Sequence, residues 1–185
     1  ARGTDNIPHE WVASVKKCVA DIASNFTTNR MLIDYEERFY DKLAARKRKL
    51  SADSCLLARE IAAWKRKVSA AWDQVRAVDV ERVKIDKEAV CVGEKYRFSV
   101  TVDIANLRPE DIGVEMVIAR QIVGGQGVNV VRTIRLERTR TDNNLVTYAL
   151  DYTPDETGTF DVALRIYPCN PHLPHRMDFA LVKWA

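Results

Sequence analysis

A change of hydrophobic period near residue 77 constrains this chain more than any other feature. Before it, Leu43, Leu50, Leu57, Trp64 and Ala71 stand seven apart, with Ile61, Val68 and Val75 as a second row beside them. That four-three alternation, in a stretch without Pro or Gly, is a coiled-coil-like seam on a helix. After it the spacing drops to two: Val78 and Val80, then Tyr96, Phe98, Val100, Val102 and Ile104 on one strand face. One element cannot span such a switch, because a period of 3.6 and a period of 2 send the same residues to different faces. The pattern predicts a helical arm over 44–76. Ser51, Asp53 and Ser54 favour caps over helix interiors, so the arm should break or bend near residue 52.

Downstream, further strands are predicted over 112–120, 128–138, 145–153, 159–167 and 177–184. Turn residues separate them: Gly93, Asn106 to Pro109, Gly124 to Gly127, Asp142 to Asn144, and Pro154 to Gly158. About seven short strands in this space predict an immunoglobulin-like antiparallel β-sandwich over 77–185. Tyr152, Pro154, Gly158 and Phe160 look like the Y-x-P-x-x-x-G-x-aromatic corner of many such sandwiches. The fold class expected is α+β, an N-terminal helical segment of three or four helices followed by the sandwich.

Upstream of the arm, Trp11, Val12, Val15, Val19 and Ile22 recur at helical spacing and predict a helix over 10–24, with Asp5 or Asn6 as its cap and Pro8 in its first turn. A second helix is expected over 26–43. Thr27 and Thr28 supply capping hydroxyls, and Leu32, Tyr35, Phe39, Tyr40 and Leu43 form a stripe rich in aromatics. Charged residues cover the rest of that helix, so the stripe is built to dock on something.

Composition excludes several classes. No apolar run approaches the roughly 18–20 residues of a membrane span, and the start of the chain has no apolar core of a secretory signal. The absent initiator Met fits either a processed chain or a piece cut from a longer one, and the cut piece is the expectation. The net charge is +3, with +5 in residues 1–76 and −2 in 77–185. Cys18, Cys55, Cys91 and Cys169 have no paired spacing, which reads as free thiols in a reducing, cytoplasmic setting. His172 and His175 with Cys169 could be drawn as a metal set, but a Pro-rich loop explains them better and no metal site is expected. The Gly124–Gly127 run lies between strands and matches no phosphate cradle. The basic runs at 46–49 and 65–67 interrupt apolar seams and lack stacking aromatics, so nucleic acid is not an expected partner.

One resemblance gives these parts a context. Glu10-Trp11, a helix, then Phe26-Thr27-Thr28-Asn29-Arg30, Tyr35 and the pair Phe39-Tyr40 resemble the closing segment of the glycogen/α-glucan phosphorylase family, which runs E-W, then F-S-S-D-R, then a Tyr and an aromatic. Arg165-Ile166-Tyr167-Pro168 and Leu181-Val182-Lys183-Trp184-Ala185 resemble the R-I-x-P and L-V-x-W-A patterns that close the longer bacterial members. The resemblance implies terminal helices of the GT-B cofactor-binding domain over 1–43, then the arm and an added sandwich. It implies a parent enzyme, a retaining glycosyltransferase dependent on pyridoxal phosphate, that cleaves α-1,4-glucan with phosphate to glucose 1-phosphate. The cofactor lysine lies in a G-N-M-K-type segment absent from this chain, so this piece alone is expected to be inactive, with no catalytic or cofactor-binding residue of its own. Its signature residues are structural, and its partner is the remainder of the GT-B domains.

Two further partners are expected as candidates. The sandwich could hold α-glucan on aromatic platforms, with Tyr96, Tyr148 and Trp184 as the contacts. The arm could pair two copies through its seam, although packing on its own sandwich explains the seam equally well. The rival reading is a non-enzymatic adaptor, a helical hairpin feeding a filamin-like sandwich. It accounts for the corner at Tyr152 to Phe160 but not for the ordered signature at Glu10, Trp11, Phe26 and Arg30.

Overall fold

The computed structural model describes residues 4–23, 25–83, 91–122 and 127–185, with the backbone alone at 82 and 83. They form two compact units, one ending at Glu60 and the other spanning Ile61–Ala185.

In the first unit, helix α1 covers His9–Cys18 and continues as a wider π-type turn over Val19–Ala23. Pro8 stands just before it, and its carbonyl accepts the Val12 N–H at 3.0 Å. Asp5 does not cap the helix. Its carboxylate instead accepts the Ile7 N–H at 3.0 Å and meets the His9 ring at 2.7 Å. Helix α2 covers Thr28–Tyr35, with Thr27 as its cap: Thr27 Oγ1 accepts the Arg30 N–H at 3.2 Å. A second π-type turn, Glu36–Tyr40, follows. Neither helix nor either turn contains a buried residue.

Helix α3 runs over Asp41–Ala71, but its backbone is not helical at Ala52, Asp53, Ser54 and Cys55. The last three take left-handed φ values of 49°, 55° and 63°, which L residues adopt only as isolated exceptions within a helix. The break therefore falls at the Ser/Asp cluster.

The described residues of the second unit hold eight strands: β1 Arg76–Val83, β2 Tyr96–Asp103, β3 Ile112–Gln121, β4 Val128–Arg135, β5 Glu137–Asp142, β6 Leu145–Tyr152, β7 Asp161–Pro168 and β8 Lys183–Trp184. They pair antiparallel in two sheets, β1-β2-β6-β5 and β4-β3-β7-β8. This is the ABED and CFG arrangement of an immunoglobulin sandwich with one extra strand beside C. Between the sheets lie Phe98, Val100, Val102 and Ile104 against Val114, Met116, Ile118, Leu164 and Ile166. The hairpin β5–β6 turns through Asn143, whose φ of 53° suits the short amide side chain of Asn.

The second half of α3 belongs to this core. Trp64, Val68, Ala71, Trp72 and Val75 are buried in the same cluster as the strand residues. That part of the seam is therefore covered by the chain's own sandwich.

Two predicted strands are corrected. The segment 128–138 is not one strand but two, β4 in one sheet and β5 in the other. The chain crosses between sheets at Leu136, which is buried and whose N–H bonds to the Val114 carbonyl at 2.9 Å. Ile134 and Leu136 alternate up to the crossing, and only polar residues, Glu137–Asp142, follow it. The segment 177–184 is a 3₁₀ turn, Arg176–Phe179, and then a strand of only two residues. There His175 Nδ1 accepts the Met177 N–H at 3.1 Å, and Phe179 turns to meet the Trp64 ring edge-on at 5.4 Å.

Candidate functional site

Among the described residues three places stand out by exposed aromatics, an ordered side-chain cluster or a cleft. The first is the aromatic face of the N-terminal unit. Tyr35 meets Phe39 edge-on at 6.1 Å and Tyr40 at 6.4 Å. A regular α-helix brings the third and fourth residues alongside; the π-type turn brings the fifth as well. Arg30 Nη1 donates to the Asn25 carbonyl and to Asn25 Oδ1, both at 2.9 Å, which ties the first turn of α2 to the loop before its cap. Yet the apolar residues here lie open. Trp11 is 67% exposed, Phe26 82%, Tyr35 44%, Phe39 54% and Tyr40 58%. Large aromatics dominate interface energetics because each removes a wide apolar area from water when it is covered.

The second place is an ordered cluster on the outer side of the β4-β3-β7-β8 sheet. Glu115 on β3 is buried, and its Oε1 accepts N–H bonds from both Arg165 on β7, through Nε at 2.7 Å and through Nη2, and Arg176 Nη1. The Arg165 guanidinium lies over the Trp184 ring, 5.7 Å from its centroid, and the Arg176 guanidinium over the Tyr167 ring at 5.5 Å. Tyr167 in turn lies flat against Gly113, where an added Cβ would stand 2.6 Å from the ring. Arg165 and Trp184 are direct cross-strand partners. The two halves of the C-terminal pattern, R-I-x-P and L-V-x-W-A, thus meet in space.

The third is a cleft of about 780 Å³ between the sheets at one end of the sandwich. The corner residues Tyr152, Pro154, Gly158 and Phe160 line it. Its rim loop is held by ion pairs Arg120–Glu156 and Arg132–Asp155, each at 3.0 Å, and by Arg120 stacked over Phe160 at 4.5 Å.

The aromatics named as glucan contacts do not share one environment. Tyr96 and Tyr148 are buried in the core, where neither offers a ring face to solvent; Trp184 is 59% exposed. Burial pushes the Tyr148 phenol up to about 12, and its hydroxyl sits 3.4 Å from the Pro109 and Ile112 carbonyls. In the loop of His172 and His175 the polar groups serve the backbone: Asn170 Oδ1 accepts the His172 N–H at 2.9 Å. Among the described residues there is no cluster of His, Cys, Asp and Glu able to hold a metal ion. All four cysteines are free thiols. No helix of the described residues is long and apolar enough to cross a membrane.

Pyridoxal phosphate needs a desolvated lysine beside a phosphate cradle. The lysines at described positions are exposed or half-buried. The two half-buried ones serve backbone carbonyls: Lys65 Nζ meets Asp178 O at 2.6 Å, and Lys183 Nζ meets Asp73 O at 3.0 Å and Val75 O at 2.7 Å. These residues do not fit the cofactor.

Sequence reasoning missed Glu115 and Arg176, as well as Asp111, a buried carboxylate that accepts the Trp64 indole N–H at 2.9 Å. A single acidic residue inside an otherwise apolar strand run is the signal that points to Glu115; Asp111 follows Glu110 in the turn before β3 and has no such signal.

Comparison with known proteins agrees with this architecture. The family model for the glycogen phosphorylase C-terminal domain matches residues 72–185, the end of the arm and both sheets. A maltodextrin phosphorylase from Thermococcus litoralis is 30% identical over 178 residues, covering 94% of this chain and 20% of that protein. Glycogen phosphorylases from Mycobacterium tuberculosis and Mycobacterium bovis are each 26% identical over 185 residues, covering all of this chain and 21% of theirs. The chain thus spans about a fifth of the length of the curated relatives it matches. With a sandwich of the expected kind and a family match over more than half of its residues, the chain belongs to the glycogen phosphorylase C-terminal domain family.

Proposed function

We propose that this chain is the non-catalytic C-terminal region of an α-glucan phosphorylase and that its helical unit packs against the remainder of that enzyme. The parent would transfer glucosyl units from α-1,4-glucan to phosphate, with pyridoxal phosphate held on the remaining domains, in the cytoplasm. The relatives' names support the activity, and the lysine environments above support placing the cofactor outside this chain.

The observation that carries the packing role is the exposure of Trp11, Phe26, Tyr35, Phe39 and Tyr40 on helices that bury nothing of their own. Fully burying one such side chain contributes about 1.5–3 kcal/mol, so covering several would hold the unit firmly to a partner. The adaptor reading accounts for the sandwich, but not for similarity to phosphorylases that runs through the helices as well.

The test is a two-piece enzyme. The parent lacking these residues and this chain are made separately, mixed, and assayed for glucose 1-phosphate from maltoheptaose and phosphate. The reading expects no product from this chain alone and restored activity on mixing. It expects weaker restoration with Tyr35→Ala and Phe39→Ala together. Product from this chain alone would contradict the inactive role, and failure of the pieces to associate would contradict the packing role.

A further inference from the structure

We propose that Trp184 is the stacking platform of a second, non-catalytic α-glucan contact on the outer face of the β4-β3-β7-β8 sheet. The inference rests on the phosphorylase reading for the class of ligand; the place and its chemistry come from the cluster itself. Trp184 combines three properties. It is the exposed tryptophan of the second unit, where Trp64 and Trp72 are both buried. Its ring is backed by the guanidinium of its cross-strand partner Arg165. That guanidinium is itself fixed, because Nε and Nη2 both bond to the buried Glu115. A planar cation stacked on an aromatic face loses little freedom when it makes a further hydrogen bond. The platform is therefore set before any ligand arrives, which lowers the ordering cost of binding.

The chemistry selects an uncharged, hydroxyl-rich ligand with one apolar face. A pyranose ring presents C–H groups on its face, which suit the electron-rich indole surface, and hydroxyls around its rim. A single platform binds a short sugar weakly, but on a polymer a second attachment point raises the effective concentration of chain ends at the first.

The experiment follows the indole N–H resonances of ¹⁵N-labelled chain during titration with maltoheptaose, with cellohexaose as the β-linked control. Trp184→Phe assigns the Trp184 peak, and thermal melts confirm that each variant folds. We expect saturable movement of the Trp184 peak with maltoheptaose and a response at least tenfold weaker with cellohexaose. Calorimetric affinity should fall at least tenfold in Trp184→Ala and several-fold in Arg165→Lys, which keeps the charge and loses the planar support. An unmoved Trp184 peak, an equal response to both sugars, or unchanged affinity in folded Trp184→Ala would each overturn the proposal. If the two-piece enzyme regains activity while Trp184 stays silent, the platform alone is wrong; if the pieces never associate, the reading beneath it fails separately.

Discussion

Trp64 on helix α3 donates its indole N–H to Asp111 Oδ1 at 2.9 Å, joining residues 47 apart in sequence and both inside the core. Asp111 also accepts the Arg108 backbone N–H at 3.0 Å and the Arg108 guanidinium at 3.1 Å. The bond fastens the arm to the loop that opens β3. A buried carboxylate needs such donors, because desolvation without them is costly. Trp64→Phe keeps most of the ring and removes one donor, so it should lower stability by about 1–3 kcal/mol in urea melts. Trp64→Ala should cost more, about 3–5 kcal/mol, because it also opens a cavity.

The same carboxyl makes the fold sensitive to acid. Burial pushes its pKa up, but the Arg108 side-chain and backbone donors and the Trp64 indole outweigh burial and hold it below the ordinary aspartate value. A depressed folded-state pKa gives stability that is present above the unfolded value, near 3.9, and lost as pH falls through the folded value. Acid unfolding followed by near-ultraviolet dichroism should therefore begin at higher pH in Trp64→Phe. Coincident acid limbs would show that the indole contributes nothing to holding the carboxylate charged.

At the alkaline end the group to watch is Tyr148. Its folded-state pKa of about 12 lies above the unfolded value of about 10. Its contribution is fully present below about pH 10 and lost as pH rises toward 12. Spectrophotometric titration should show one phenol ionising last, together with unfolding. Tyr148→Phe should remove that late step.

How far the sequence foretold this depends on the length scale. The residues Tyr96 to Ile104 alternate cleanly, and β2 follows them with every second residue buried. The seam Trp64, Val68 and Ala71 likewise marked the face of α3 that packs in the core, and Val75 beyond the helix joins it. Local pattern records which face is apolar. It does not record which partner that face meets, so neither the Trp64–Asp111 bond nor the sheet crossing at Leu136 could be read. The outer-sheet cluster was half legible. Arg165 and Trp184 stand in two recognisable patterns, but Glu115 lies fifty residues from Arg165, and only the strand pairing brings them together.

Gly113 offers a steric test of that cluster. An alanine Cβ would stand 2.6 Å from the Tyr167 ring, so Gly113→Ala must displace that ring. Overpacking of this kind costs about 1–3 kcal/mol. Because the obstacle is a side chain, adding Tyr167→Ala should recover part of the loss, and a double-mutant cycle from denaturant melts measures it. Simple additivity would mean that the two residues are not in contact.

Glu115→Gln replaces an ionised acceptor between two guanidinium groups with a neutral amide. Hydrogen bonds to charged groups are worth about 1.5–3 kcal/mol, and a loss of that size is expected in thermal or urea melts. Raised salt should narrow the gap between the two proteins, since Arg176 is partly open to solvent and ions screen its pair with Glu115.

Hydrogen exchange tests the central claim most directly: that the N-terminal helices form a docking face for the rest of a phosphorylase. Segments with few buried apolar groups open easily. In this chain alone, amides of residues 10–43 should exchange far faster than those of α3 beyond Ile61 and of strands β2, β3 and β6. Adding the complementary piece of the parent enzyme should slow exchange across 10–43 by orders of magnitude. Protection of 10–43 that already equals the sandwich's in the isolated chain, or that does not change when the other piece is added, would contradict the account.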